Sequence, residues 1–129
     1  MKRQIKRTWA EIDLDAIEEN YRAIRSLLGP QTKLMAVVKA DAYGHGDAET
    51  AAALQDQGAD WFAVSTLTEA ISLREGGIDR PILILGFTPV ECAGDLVRHH
   101  IAQTVFSLDY ARELEQALAG GEERLGIHI

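Results

Sequence analysis

The stretch Lys33-Leu34-Met35-Ala36-Val37-Val38-Lys39, followed at once by Ala40-Asp41-Ala42-Tyr43-Gly44-His45-Gly46, decides the fold. Its first half is a short, nearly continuous apolar run. That is how a strand buried on both faces reads, and hence a strand of a parallel sheet. Its second half, Asp41 to Gly46, reads as a loop punctuated by two glycines.

Working outward, the same pattern returns. WFAVS (61–65), PILILG (81–86), AQTVF (102–106) and LGIHI (125–129) read as further strands, so strands start near 33, 61, 81, 102 and 125, at steps of 28, 20, 21 and 23 residues. Helix signals fill the gaps. Asp47 caps a helix through Gln57, closed by Gly58, and Thr66 or Thr68 starts one that ends at Gly76-Gly77. Thr88-Pro89-Val90-Glu91 supplies the hydroxyl, proline and glutamate of a capping box and opens a helix to about His100. Ser107 caps a helix through Ala119, ended by Gly120-Gly121. Upstream, WAEID (9–13) alternates apolar and polar like a half-buried strand. Asp13 then caps a helix with apolar Leu14, Ile17, Tyr21, Ile24 and Leu28, stopped by Gly29-Pro30.

Such alternation gives a parallel sheet, doubly wound or closed as a (β/α)8 barrel. Near-even units without a glycine-rich phosphate turn after the first strand favour the barrel. A whole barrel runs to ~250 residues, so the 129 present predict a partial (β/α)8 TIM-type barrel of about five strands out of eight. The expectation is an N-terminal part of a longer chain.

Composition narrows the class. Hydrophobic residues make up 47 % and charged residues 26 %, enough for a packed core and too apolar for a disordered chain. No apolar run approaches the ~18–20 residues of a membrane span, and the basic start MKRQIKR (1–7) has no apolar stretch behind it, unlike a signal peptide. The single cysteine, Cys92, has no internal disulfide partner, which suits the cytoplasm. The net charge is −7, and Lys2, Arg3, Lys6 and Arg7 hold four of the thirteen basic residues, so the rest is more acidic still. That argues against a nucleic-acid partner. The basic start reads as a solvated terminus, with a phosphate or membrane-surface contact as the alternative.

Lys39 breaks the apolar pattern. Period-2 alternation puts it on one face with Met35 and Val37, at the C-terminal end of its strand, where barrel active sites lie. A neutral amine attacks a carbonyl, so a lysine there suits Schiff-base chemistry. The bland alternative is a lysine that marks the strand's exit and snorkels to solvent. Tyr43 stands at the same mouth, where its hydroxyl can bond an anion or simply meet water. His45 reads first as a loop hydrogen-bonder, with base or ligand as alternatives, and Asp41 as a brace for the loop's N–H groups. Cys92 reads as a half-buried thiol and His99-His100 as a solvated helix end. No Cys/His cluster suggests a metal.

AVVKADAYGHG (36–46) resembles the signature of the pyridoxal-phosphate alanine racemases. WAEIDLDAIEENYRAIR (9–25), Gly58-Ala59-Asp60, AVSTLTEA (63–70) and PILILG (81–86) are also similar to that family's pattern, in order along essentially the whole chain. The resemblance implies a fold-type III barrel starting at Lys33. It implies an N-terminal strand segment, 1–13, that packs outside the barrel on a separate C-terminal β domain, with 14–129 the barrel portion. It implies that Lys39 forms a Schiff base with pyridoxal 5'-phosphate, that Tyr43 bonds its phosphate, and that Val37 and Leu85 flank it. The implied reaction interconverts L- and D-alanine, supplying D-alanine for peptidoglycan, in a homodimer.

Racemisation needs two acid/base groups. In the family, the lysine serves one face and a tyrosine of the partner subunit's C-terminal domain the other. The tyrosines here are Tyr21, Tyr43 and Tyr110, none of them in that region. The family's arginine at the pyridine nitrogen, most phosphate ligands, and a lysine and arginine near the substrate carboxylate fall beyond Ile129. The 129 residues alone are therefore expected to be inactive. A related serine or broad-specificity racemase, and a non-catalytic cofactor-holding or structural module, are the alternatives.

Overall fold

The computed structural model describes residues 7–129; Lys2, Arg3 and Lys6 of the basic start lie outside them. The chain runs α1 (Leu14–Ser26), β1 (Met35–Val37), α2 (Lys39–Gly44), α3 (Asp47–Asp56), β2 (Trp61–Val64), α4 (Leu67–Glu75) and β3 (Ile82–Ile84). A 3-10 turn (Val90–Cys92) leads into α5 (Ala93–Arg98), followed by β4 (Ile101–Thr104), α6 (Leu108–Ala117) and β5 (Ile127–His128).

The five strands form one parallel sheet in the order β1-β2-β3-β4-β5, each beside its sequence neighbour. A doubly wound sheet reverses direction partway; this one never does, so it is a partial α/β barrel. Pleating splits the strand residues between two faces. Phe62, Val64, Ile82, Ile84 and Ile101 are buried against the helix layer, where they meet Tyr21, Leu54, Leu73 and Leu96. Each such large side chain stabilises the fold by ~1.5–3 kcal/mol relative to exposure. The alternate residues, among them Met35, Trp61, Leu83 and Ala102, line a groove on the inner face.

Local chemistry explains the helix starts. The Asp13 carboxylate accepts the Ala16 N–H at 3.1 Å, and the Ser107 hydroxyl accepts the Tyr110 N–H at 3.1 Å. Thr66 and Glu69 form a complete capping box on α4. At the far end of α4, the Arg74 guanidinium donates to four carbonyls, those of Ile78, Arg80, His99 and His100, at 2.7–2.9 Å. This one side chain ties the α4–β3 turn to the α5–β4 turn.

Three local expectations need correction. Trp9–Asp13 forms no strand, because no strand lies beside it among the described residues to complete a ladder; Trp9 is 64 % exposed. The Thr88 hydroxyl caps nothing: it is buried without a partner, and Pro89 takes the N-cap position of the 3-10 turn. The cause is that the Thr88 backbone is already engaged by Tyr110. Asp47 is the first residue of α3 rather than its cap; the cap position is Gly46, and the Asp41 carboxylate accepts the Asp47 N–H at 3.0 Å. No described helix is long and apolar enough to cross a membrane.

Candidate active site

Lys39 stands directly past the C-terminal end of β1, partly exposed. None of the ion pairs among the described residues involves it. Val38, just before it, is 2 % exposed and belongs to the helix-side core, while Val37 (40 %) and Leu85 (42 %) stay open. This mouth of the sheet therefore holds an amine, with exposed apolar side chains at the ends of β1 and β3.

The segment after Lys39, expected as a loop, is a single left-handed turn. Ala40, Asp41, Ala42 and Tyr43 have φ of 52°, 57°, 49° and 57°, and Gly44 follows at 88°. For L-residues this conformation costs roughly 1–2 kcal/mol each. Several contacts offset the strain. The Ala42 N–H donates to the Val38 carbonyl (3.0 Å) and the Gly46 N–H to the Asp41 carbonyl (3.0 Å). His45 Nδ1 bonds the Ala42 carbonyl at 2.9 Å, which requires the proton on Nδ1. His45 is thus the loop hydrogen-bonder, and Asp41 braces the turn through Asp47. The turn leaves Tyr43 62 % exposed at the mouth.

Glu69 joins this turn to the next strand's exit. Its Oε1 accepts the Ala40 N–H at 2.8 Å; its Oε2 accepts the Ser65 and Thr66 N–H groups at 2.8 and 3.0 Å. Burial pushes this carboxyl's pKa up. The N–H groups of Ala40, Ser65 and Thr66, with the Thr66 side chain, more than reverse that, so Glu69 stays ionised below the usual carboxylate range. The third strand's exit is pressed on the second: a Cβ at Gly86 would lie 2.6 Å from the Ser65 carbonyl oxygen. The Gly86 carbonyl in turn accepts Gln103 Nε2 of β4 at 2.7 Å. Contacts thus run from the exit of β1 to that of β4, polar at Glu69 and Gln103 and steric at Gly86.

Beside it, Phe106 stacks on Tyr110 with ring centroids 5.0 Å apart, and Phe87 lies 6.3 Å from Phe106. Among the described residues, no group of three His, Cys, Asp or Glu side chains is placed to hold a metal ion. Cys92 is half-buried in the 3-10 turn, and the His99 and His100 carbonyls serve Arg74. Glu69 is the residue that sequence reasoning missed. Its capping spacing after Thr66 was a visible signal, but its reach to Ala40 was not.

The family model for the alanine racemase N-terminal domain matches residues 12–129. Alanine racemase 1 of Caldanaerobacter subterraneus subsp. tengcongensis is 44 % identical over 125 residues, covering 97 % of this chain and 32 % of that protein. The solved alanine racemase of Clostridium difficile 630 superposes with a TM-score of 0.89 at 41 % identity, over 95 % of this chain and 33 % of that one. A histidine racemase from Leuconostoc mesenteroides subsp. sake superposes with a TM-score of 0.81 at 29 % identity, over 88 % of this chain and 30 % of that one. The chain spans about a third of the length of the curated relatives it matches. With its singly wound half-barrel, its lysine at the mouth of β1 and this similarity over nearly all its length, the chain belongs to the alanine racemase family, as the N-terminal domain.

Proposed function

We propose that this chain is the cofactor-anchoring part of a pyridoxal 5'-phosphate-dependent alanine racemase that interconverts L- and D-alanine for D-alanine and peptidoglycan supply. One observation carries the reading: Lys39 stands at the mouth of β1 with Val37 open at the end of β1, Leu85 open at the end of β3 and Tyr43 exposed one turn away. These residue types fit the group. An amine suits its aldehyde, apolar side chains suit the sides of its ring, and a phenol hydroxyl suits its phosphate.

When bound, the cofactor supplies an electron sink for the carbanion left at the substrate's α-carbon. Lys39 would hold the cofactor and move a proton on one face of that carbon. Val37 and Leu85 would flank the ring, and Tyr43 would donate to the phosphate. The opposite face takes a second acid/base group, a tyrosine of the partner subunit in a homodimer. The enzyme works in the cytoplasm, in keeping with a single cysteine, Cys92.

The test is direct. The full-length protein is incubated with pyridoxal 5'-phosphate, reduced with borohydride and mapped by peptide mass, and alanine racemisation is assayed in parallel. The expected result is an adduct on Lys39 that Lys39→Ala abolishes together with turnover. An adduct elsewhere would overturn the assignment. A racemase for a different amino acid is the second reading, favoured by the likeness to the histidine racemase. Turnover of serine or histidine in preference to alanine selects it.

A further inference from the structure

We infer that Glu69 is a positioning residue for Lys39: through the Ala40 N–H, its carboxylate fixes the left-handed turn that presents Lys39 and Tyr43 together. The inference rests on the proposed role of Lys39.

The geometry separates this task from helix capping. A capping box needs only the reciprocal bonds between Thr66 and Glu69, and Glu69 Oε2 already accepts from Ser65 and Thr66. The second oxygen is spent on another unit, on an N–H that is 29 residues away in sequence and adjacent to Lys39. Ala40 is the first of five consecutive residues with positive φ, four of them not glycine. It therefore sits where the chain leaves right-handed geometry, and a bond at that point selects the strained turn over extended alternatives. The rest of the turn is braced from within or from α3, by His45, Asp41 and Asp47. Among the described residues, Glu69 is the side chain that hydrogen-bonds it to the neighbouring strand's exit. Three N–H groups converge on this carboxylate, and only a group that accepts on both oxygens satisfies them.

That stoichiometry makes Glu69→Gln a selective probe. The amide oxygen can face the Ser65 and Thr66 pair, as the cap requires, which turns the amide nitrogen, a donor, toward Ala40. Two readouts follow, in the full-length protein. Hydrogen exchange at the Ala40 amide, measured without cofactor, is expected to speed up by about tenfold or more. The rate of borohydride trapping of pyridoxal 5'-phosphate on Lys39 is expected to fall by about tenfold, since small misplacements of a reacting group cost rate steeply. Thr66→Ala is the control. It weakens the same helix start without touching Ala40, and should leave the trapping rate unchanged.

Trapping at the wild-type rate in Glu69→Gln, or an equal loss in Thr66→Ala, would overturn the inference. If Glu69→Gln fails to fold, Glu69→Asp takes its place, since its carboxylate keeps its charge at the cap but is one methylene shorter. If the wild-type protein traps nothing on Lys39, the proposed function fails. Ala40 exchange then judges the tether alone, and unchanged exchange in the variant rejects it.

Discussion

The Tyr110 phenol donates to the Thr88 carbonyl at 2.6 Å and accepts the Thr88 N–H at 3.4 Å, so one side chain serves both backbone groups of one residue. Both residues are buried, and the pair fastens the segment after β3 to α6. Tyr110→Phe keeps the ring and leaves the Thr88 groups without partners. The expected cost is roughly 1–3 kcal/mol, read as a lower urea midpoint with an unchanged slope.

Alkaline pH should act on the same bond. Burial raises the Tyr110 phenol above the ordinary tyrosine value of 10.0, with the bond to Thr88 opposing in part. Burial also raises Tyr21, with Asp60 adding to the shift and Arg25 and Arg80 opposing it. The folded state thus holds these protons more tightly than the unfolded chain. Their contribution is fully present below pH ~10 and is lost as pH rises through the folded values. Denaturant midpoints measured upward from pH ~9 should fall, and fall less steeply in Tyr110→Phe.

Gly86→Ala tests the close approach of two strand exits. Its Cβ would lie 2.6 Å from the Ser65 carbonyl oxygen, and backbone must move to relieve that. The expected penalty is about 1–3 kcal/mol in thermal or chemical unfolding. Because Leu85 moves with it, cofactor trapping on Lys39 should slow as well.

Arg74→Lys tests the four-carbonyl clamp. An ammonium offers three donors on a flexible stem and cannot span carbonyls from two turns as a planar guanidinium does. A loss of roughly 2–4 kcal/mol is expected in denaturant unfolding, with no change at Lys39, which lies at the opposite end of the sheet.

Tyr43→Phe tests the phosphate contact. The side chain is 62 % exposed, so folding should be unaffected. Affinity for pyridoxal 5'-phosphate should drop about tenfold or more, the worth of a hydrogen bond to a charged group. Affinity for pyridoxal, which lacks the phosphate, should hold. An equal loss for both ligands would remove Tyr43 from that role.

The strands were legible because buried parallel strands are nearly unbroken apolar runs, and Met35–Val37, Trp61–Val64 and Ile82–Ile84 lie inside the expected stretches. Asp13, Thr66 and Ser107 were legible as caps because capping is a local bargain between a side chain and the next turn. The failures have separate causes, and for Thr88 a distant partner outbid the local one. Thr88 has a capping sequence, but Tyr110, 22 residues on, claims its backbone. WAEID alternates as a strand does, yet alternation cannot supply the neighbour that a ladder needs. The left-handed turn was hidden because alanine, aspartate and tyrosine carry no preference for positive φ; only Gly44 and Gly46 hinted at it. Glu69 was visible as a cap because Thr66 is three residues away, and invisible as a tether because Ala40 is 29 residues away.

The sequential strand order has a consequence for how the molecule is made. Among the described residues, each strand pairs with the strand of the adjacent βα unit, so none of these four pairings waits for a remote part of the chain. As the polypeptide leaves the ribosome, each new unit meets a template already laid down by the one before. The Lys39 turn, whose tether comes from the second unit, is complete once α4 has emerged, well before β5 is synthesised.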